Sequence, residues 1–155
     1  LDMRFILLLL LSYSICYSQN PNLNQLRKSF INADKSEENC NTLLNKSEQL
    51  MENNDIAKAY NAAGLMISCE FKVNPFIKWS IFNCGKNILE ELIAENDSSL
   101  EMRFLRYCMQ KKAPSFLNYN DNIEEDALLI TNANNALNKE LLDFINPIFI
   151  SLNDE

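Results

Sequence analysis

Apolar residues recur at intervals of three and four from about residue 22 onwards, which is the spacing of helices that bury one face. The first predicted helix, at about 22–33, carries Leu23, Leu26, Phe30 and Ile31 on one face. The sequence shows no sustained alternation of apolar and polar residues, and β-branched residues are sparse. The pattern therefore predicts an all-α protein.

Residues that favour the first turn of a helix predict where six further helices begin. These starts are Ser36, Asp55, Asn74 with Pro75, Ser98 or Ser99, Asn122, and about residue 138. An irregular segment, residues 111–121, precedes the sixth helix, which is predicted to continue to Leu137. The seventh is predicted to end at Pro147, because proline lacks the backbone N–H that a helix interior needs. Residues 148–150 are expected to dock as an apolar tail.

Short linkers predict that neighbouring helices pair as antiparallel hairpins. Three hairpins start near residues 36, 76 and 122, and this interval of about 40–46 residues is typical of solenoids built from helix pairs. A compact bundle accommodates three hairpins equally well. The predicted fold class is therefore all-α with antiparallel helical hairpins, arranged as a short α-solenoid or as a compact bundle.

The N-terminal segment has the pattern of a secretory signal peptide. Met3-Arg4 gives a positive start, Phe5–Leu11 is a short apolar run, and the small residues Cys16 and Ser18 lie near the expected cleavage point. We expect cleavage between Ser18 and Gln19, which leaves residues 19–155 as a single helical domain. The apolar run is shorter than the roughly 20 residues that span a bilayer, so no membrane span is expected after cleavage.

This leader, residues 1–18, predicts export, and the periplasm is the expected compartment. Two alternatives stay open: a lipoprotein in which Cys16 is acylated, and an anchor that is not cleaved. Bulky Ile15 directly before the cysteine fits the lipoprotein poorly. The leader is therefore interpreted as a cleaved signal peptide.

Two strings of residues in the middle of the chain carry a resemblance. The first consists of Ala59-Tyr60, Ala63-Gly64, Phe82, Gly85, Leu89, Ile93 and Asn96-Asp97. It resembles a degenerate tetratricopeptide hairpin, in which small residues lie where two helices cross closely, but no proline follows its last pair. The second consists of Arg103–Arg106, Pro114–Tyr119 and Asn122–Asp126. It is similar to a group of uncharacterised exported bacterial proteins, and the resemblance, over about residues 55–130, implies a tetratricopeptide-like fold and export but no activity.

The composition excludes several chemistries. The chain has no histidine, so Ser-His-Asp and Cys-His nucleophiles and imidazole metal ligands are unavailable. Two glycines are too few for a glycine-rich phosphate loop. A net charge of −7 argues against nucleic acid as a partner, since Lys and Arg supply most of that affinity. We expect no cofactor and no metal.

Four cysteines remain after the predicted cleavage, namely Cys40, Cys69, Cys84 and Cys108. In the predicted hairpins Cys40 lies opposite Cys69 and Cys84 lies opposite Cys108, which is the register that disulfides need. Export favours disulfide formation. The alternative is that all four are small buried thiols at helix crossings. No C-x-x-C spacing occurs, which argues against a metal site.

Arg103 and Arg106 are three residues apart and therefore share one face of the fifth predicted helix. Tyr119 and the acidic run Glu124–Asp126 follow closely in the sequence. Guanidinium groups that face carboxylates predict a structural clamp between the irregular segment and the helix. The alternative is a cleft in which the arginines bind an acidic ligand and Phe116 forms part of an apolar wall.

The favoured function is non-catalytic: a small interaction or scaffold module of the cell envelope with an unknown protein partner. Its candidate partner-binding residues are Arg103, Arg106, Tyr119, Phe116 and Trp79. Trp79, the single tryptophan, either packs in the core or anchors a partner. One alternative function is a glycan hydrolase that uses the carboxylates of Glu90-Glu91 or Glu124–Asp126. Another is a carrier that holds an apolar ligand in a cavity of about 300 Å³ or more.

Overall fold

The structure, a computed structural model, describes residues 21–133 and 139–154. Its α-helices are α1 (Pro21–Asn32), α2 (Glu37–Glu48), α3 (Asp55–Ser68), α4 (Pro75–Glu95), α5 (Leu100–Lys112), α6 (Ile123–Thr131) and α7 (Lys139–Asp154). These two ranges contain no strand, so the predicted all-α class is confirmed. Within them, every helix is too short or too polar to cross a bilayer. The predicted signal peptide, residues 1–18, and Leu137 lie outside the described residues.

Polar side chains cap the helices where the sequence predicts their starts. Ser36 Oγ accepts the backbone N–H of Asn39 at 3.2 Å, and Asn74 Oδ1 accepts that of Phe76 at 2.9 Å. Ser99 caps α5 in the same way. Each of these bonds satisfies a backbone donor that the first turn of a helix leaves without a partner. The predicted starts of the second, fourth and fifth helices are therefore confirmed.

Helices α3 and α5 form the centre of the molecule. α3 packs against α1, α2, α4 and α5, while α5 packs against α3, α4, α6 and α7. An unbroken run of α5, Glu101–Gln110, is buried on all its faces. A side-chain hydrogen bond from Asn24 to Glu140 also joins α1 to α7. Because a solenoid repeat contacts only its neighbours, this packing is that of a compact bundle.

The prediction for the last two helices is wrong in three respects. α6 ends at Thr131, earlier than predicted, and α6 and α7 each pack mainly against α5 rather than forming a hairpin. α7 also continues through Pro147 to Asp154. The reason lies in its apolar face, since rings of α5 and α7 meet at centroid distances of 5.5 Å and 5.1 Å on either side of the proline. Burial of that face outweighs the hydrogen bond that the proline removes.

Helices α3 and α4 approach closely at Gly85. A Cβ atom added there would lie 2.5 Å from the backbone carbonyl oxygen of Ala62 and 2.9 Å from Cγ of Met66. Real Cβ atoms do not approach a backbone oxygen so closely, so only glycine permits this crossing. The prediction that small residues lie where two helices cross is confirmed at this position.

Candidate functional site

Two arginines of α5 converge on one carboxylate, that of Asp126 in the first turn of α6. Arg106 donates from Nε to Oδ2 and from Nη2 to Oδ1, each at 2.7 Å. Arg103 donates from Nε to the same Oδ1. Asp126 is completely buried and both arginines are buried as well. The three charges therefore form a buried ionic cluster with charge-assisted hydrogen bonds.

The remaining donors of the two arginines bind groups at the edge of this cluster. Arg103 Nη2 donates to Glu125 at 2.6 Å, and its Nη1 donates to a backbone carbonyl of the α4–α5 turn at 3.1 Å. Arg106 Nη1 donates to Glu90 at 3.0 Å, and the hydroxyl of Tyr119 donates to the other oxygen of that carboxylate at 2.6 Å. The ionic cluster therefore ties α4, α5, α6 and the segment before α6 together.

Shifted pKa values occur in the ionic cluster and at its edge. Burial lowers the pKa of Arg103, but its hydrogen bond to Asp126 and the charge of that carboxylate outweigh burial and leave this pKa raised. The hydrogen bond from Arg103 lowers the pKa of Glu125. Burial raises the pKa of Tyr119, so its hydroxyl stays neutral and continues to donate to Glu90. The pKa shifts of Arg103 and Glu125 favour the charged forms of these two side chains.

This geometry matches the structural clamp that the sequence suggests, in place of a binding cleft. Arg103, Arg106 and Tyr119 are buried, and internal partners occupy their polar atoms. A residue that binds a partner must reach the surface, so these three side chains do not form the predicted docking surface. Phe116 and Trp79, the two other candidates, are exposed.

A second buried network joins α1, α3 and α5. Arg27 donates to both carboxylate oxygens of Glu101, at 2.9 Å and 2.8 Å, and the hydroxyl of Tyr60 donates to the same carboxylate at 2.7 Å. The hydrogen bond that Arg27 donates to Glu101 raises the pKa of Arg27, and burial raises the pKa of Tyr60. Sequence reasoning missed this network, because Arg27 and Glu101 are 74 residues apart and no local pattern links them.

The four cysteines of the described chain are free thiols, so the predicted disulfides are not formed in the structure. Cys84 is exposed on α4, whereas Cys108 is buried on α5. Cys40 Sγ donates to a backbone carbonyl of α3 at 3.4 Å, and Cys69 Sγ donates to the carbonyl of Lys78 at 3.2 Å. Burial raises the pKa of Cys40 to about 11, as expected for an unreactive thiol.

A cleft of about 510 Å³ opens between the end of α3, the start of α4, the end of α5 and α7. Its deep wall is formed by core side chains, including Met66, Ile67, Phe82 and Met109. Trp79 and Phe116 also line the cleft, although Trp79 is 64% exposed and Phe116 is 82% exposed. We call this space the apolar cleft.

The backbone conformation of the segment after α5 determines where one wall of the apolar cleft lies. Pro114 follows the end of the helix, and Asn118 has a φ of 46°, in the left-handed region that asparagine tolerates. Asn118 lies between exposed Phe116, which lines the cleft, and buried Tyr119, which joins the ionic cluster. The clamp therefore fixes the backbone that carries this wall of the cleft.

Few charged groups line the apolar cleft. Asp34 and Lys112 form an ion pair with Nζ and Oδ2 at 2.6 Å, and Glu70 and Lys78 are the other charged residues of the lining. Among residues 21–133 and 139–154, His, Cys, Asp and Glu side chains form no group of three that could hold a metal ion. The cleft is therefore suited to an apolar molecule with a polar end.

Comparison with known proteins adds no family to this description. No family model, curated protein or solved structure matches the chain.

Proposed function

We propose that this protein is a non-catalytic binding protein that holds an apolar small molecule, or the apolar part of an amphiphile, in the apolar cleft. The observation that carries the proposal is the volume of the cleft, about 510 Å³, together with its mostly apolar lining. Ligand pockets measure about 300–1,000 Å³ and are lined mainly by apolar and aromatic side chains. Of the functions considered from the sequence, the carrier of an apolar ligand therefore has the strongest geometric support.

Exposed aromatic residues at the apolar cleft give this proposal a thermodynamic basis. Trp79 and Phe116 expose large apolar surfaces that a bound molecule would cover. Each Å² of apolar surface removed from water contributes about 25 cal/mol, so covering both side chains favours binding. Scattered exposed apolar residues are normal, and the position of these two in the lining of one cleft supports the proposal that a ligand covers them.

The interaction with a protein partner has weaker support from the geometry. Of the five candidate partner-binding residues, only Trp79 and Phe116 are accessible, and both belong to the apolar cleft. Any partner that used them would compete with a ligand for the same surface.

A carboxylate-based hydrolase also has weak support. Such an enzyme needs two carboxylates that face each other across an open cleft at about 5–9.5 Å. Asp126 is buried between two arginines, Glu125 pairs with Arg103, and Glu90 is bound by Arg106 and Tyr119. Ion pairing accounts for the positions of these groups without a catalytic role.

We also propose that the protein is exported and that residues 1–18 are removed, with the periplasm as its compartment. Support for this comes from the sequence pattern of the leader alone. We likewise propose that the hairpin α3–α4 is tetratricopeptide-like, and the close approach of its helices at Gly85 supports this.

The test uses Trp79, because the chain contains no other tryptophan and this one lines the apolar cleft. The purified protein is titrated with the fluorescent apolar probe N-phenyl-1-naphthylamine. We expect saturable binding of one probe, a blue shift of the tryptophan emission and energy transfer from Trp79 to the probe. Absence of saturable binding would contradict the proposal.

A matched pair of variants locates the probe. Ala113 lines the apolar cleft, whereas Ala127 lies on α6 away from it, and both are partly buried against the core. Ala113→Phe fills space in the cleft and should weaken binding at least tenfold, since the probe loses apolar contact area. Ala127→Phe should leave binding unchanged. Equal binding by both variants would mean that the probe binds elsewhere.

A further inference from the structure

Exposed apolar residues of the described chain concentrate beside the apolar cleft. Val73 is 97% exposed and Phe76 is 82% exposed, and they flank Pro75, which lines the cleft. Trp79 follows Phe76 by three positions and therefore lies on the same side of α4. We call Val73, Phe76, Trp79 and Phe116 the docking face. Elsewhere, large exposed apolar residues such as Leu128 occur singly, which is normal for a protein surface.

The segments that carry the docking face are basic in an acidic protein. Residues 71–79 and 111–117 contain four lysines and no carboxylate, although the net charge of the chain is −7. Lys72 forms an ion pair with Glu37, and Lys112 forms one with Asp34. The carboxylate closest in sequence is Glu70, directly before the first segment. Lys78 and Lys111 form no ion pair within the described residues. Lys78 lines the apolar cleft and directly precedes Trp79, so one of these two lysines lies beside the exposed aromatic residues.

A lipid bilayer with anionic headgroups is the partner whose chemistry fits both features. Tryptophan prefers the membrane–water interface, where its apolar ring and its N–H are both accommodated. Anionic headgroups attract lysines that lie near the membrane surface. Neither feature alone gives firm attachment, and stable interfacial binding takes the two together. A protein groove would satisfy the aromatic residues but would not by itself require the lysines.

We propose that the docking face lies on an anionic lipid bilayer, with the apolar cleft opening towards the headgroups so that a lipid-derived apolar chain passes into it. This inference rests on the proposed function, because it names the source of the ligand. It adds that the ligand is an amphiphile taken from or delivered to a membrane.

Quenching of Trp79 by brominated lipids tests the docking face directly. Purified protein that begins at Gln19, the form expected after removal of the apolar leader, is mixed with vesicles of phosphatidylcholine and phosphatidylglycerol whose acyl chains carry bromine. We expect strong quenching with the anionic vesicles and little with phosphatidylcholine alone. Because the quenched residue belongs to the docking face, the readout does not depend on attachment through another part of the chain. Equal or absent quenching with both kinds of vesicle would overturn the proposal.

Three variants separate docking from ligand binding. Phe76 and Lys111 lie outside the lining of the apolar cleft. Phe76→Ser should lower vesicle binding about tenfold, through loss of apolar burial, and Lys111→Gln about fivefold, through loss of one charge near the surface. The control Leu128→Ser removes another exposed apolar side chain, on α6 and away from the docking face, and should change nothing.

Uptake of the naphthylamine probe distinguishes failure of this inference from failure of the proposed function. Phe76→Ser should still bind the probe like the wild type, since the cleft is intact. If the probe binds but anionic vesicles do not quench the wild type, membrane docking is overturned and the proposed function stands. If Phe76→Ser is quenched as strongly as the wild type, the bilayer is contacted without Phe76, and the docking face as defined here is overturned. If the wild type does not take up the probe, the proposed function fails, and with it the passage of a lipid chain into the cleft.

Discussion

Removing one partner of a buried ionic group costs more than the group itself contributes to stability, because the charges left behind stay out of water. Asp126 is bound by both Arg103 and Arg106, whereas Glu125 binds only the first of these and is largely exposed. The two neighbouring carboxylates should therefore differ sharply in their effect on stability, although they have similar chemistry.

We expect Asp126→Asn to lower the free energy of unfolding by about 3–5 kcal/mol, since two buried guanidinium groups lose their shared counter-charge. Asparagine keeps the size of the side chain, so the loss reflects charge rather than packing. Glu125→Gln is the matched control and should cost about 0.5 kcal/mol, as exposed ion pairs do. Urea unfolding at pH 7 measures both values. Similar losses for the two variants would contradict the buried cluster.

The stability difference between the wild type and the control Glu125→Gln should also depend on pH, in a direction that the structure predicts. Arg103 lowers the pKa of Glu125 in the folded state. The stabilisation from this pair is therefore present above the unfolded pKa, about 4.3, and is lost as the pH falls through the lower folded value. The difference between the wild type and Glu125→Gln should be constant near pH 7 and disappear in strong acid.

At the scale of residues, the sequence predicts which nearby side chains interact, but it does not predict whether those side chains are exposed to solvent. The three-residue spacing of Arg103 and Arg106 and the nearby acidic run indicate the clamp correctly. The same spacing does not say whether the arginines face water, and they were therefore also candidates for partner binding. The pair of Arg27 and Glu101 depends on the packing of α1 against the centre of the bundle, for which no short pattern exists.

At the scale of elements, helix starts depend on local interactions and are predicted from the sequence, whereas the end of α7 depends on tertiary packing and is not. Ser36, Asn74 and Ser99 bond to backbone atoms two or three residues ahead, so their effect is local and their positions in the sequence identify them. The continuation of α7 through Pro147 depends on apolar contacts with α5. Local preference alone ends the helix at the proline, and tertiary packing overrides it.

The crossing of α3 and α4 makes a prediction at this scale. In Gly85→Ala the new Cβ would lie 2.5 Å from the carbonyl oxygen of Ala62, so the two backbones must separate. Overpacking of this kind costs about 1–3 kcal/mol and exceeds the gain of up to about 1 kcal/mol in helix propensity. We expect a net loss of about 1–2 kcal/mol in chemical denaturation.

Gly64→Ala is the control for this crossing. The three atoms nearest to its new Cβ belong to the side chains of Leu44 and Leu43, and the nearest is a terminal methyl carbon at 2.9 Å that can move. The gain in helix propensity should offset the remaining strain, so stability should change by less than about 0.5 kcal/mol. If Gly85→Ala were as mild as this control, the close approach of the two helices would be refuted.

At the scale of the whole molecule, the apolar cleft is the feature that the sequence does not contain. Its walls come from α1, α3, α4, α5, α7 and the segment after α5, and the space exists because these elements do not fill it together. Apolar periodicity predicts which residues turn inwards, but it does not tell whether the inward faces meet without a gap. Apolar periodicity likewise does not decide whether Trp79 packs in the core or lies at the surface, where the structure places it.

One continuous core connects α1 with α7, which predicts how the molecule unfolds. Buried side chains from Leu26 of α1 to Leu152 of α7 belong to a single hydrophobic cluster. A domain with one core unfolds cooperatively, so different probes should report the same transition. Trp79 fluorescence reports on α4 and far-ultraviolet circular dichroism reports on all helices, and we expect their thermal midpoints to coincide.

A variant at the far end of this core makes the expectation quantitative. Ile145 of α7 is fully buried, so Ile145→Val should cost about 1 kcal/mol. For a domain of this size that loss lowers the melting temperature by about 3 °C. Trp79 lies on another helix, yet its transition should move by the same amount as the dichroism, because α7 cannot loosen without the core that α4 shares. A Trp79 midpoint that stays fixed while the dichroism shifts would show that α7 unfolds separately, and the cleft would then lose one wall before the rest of the protein melts.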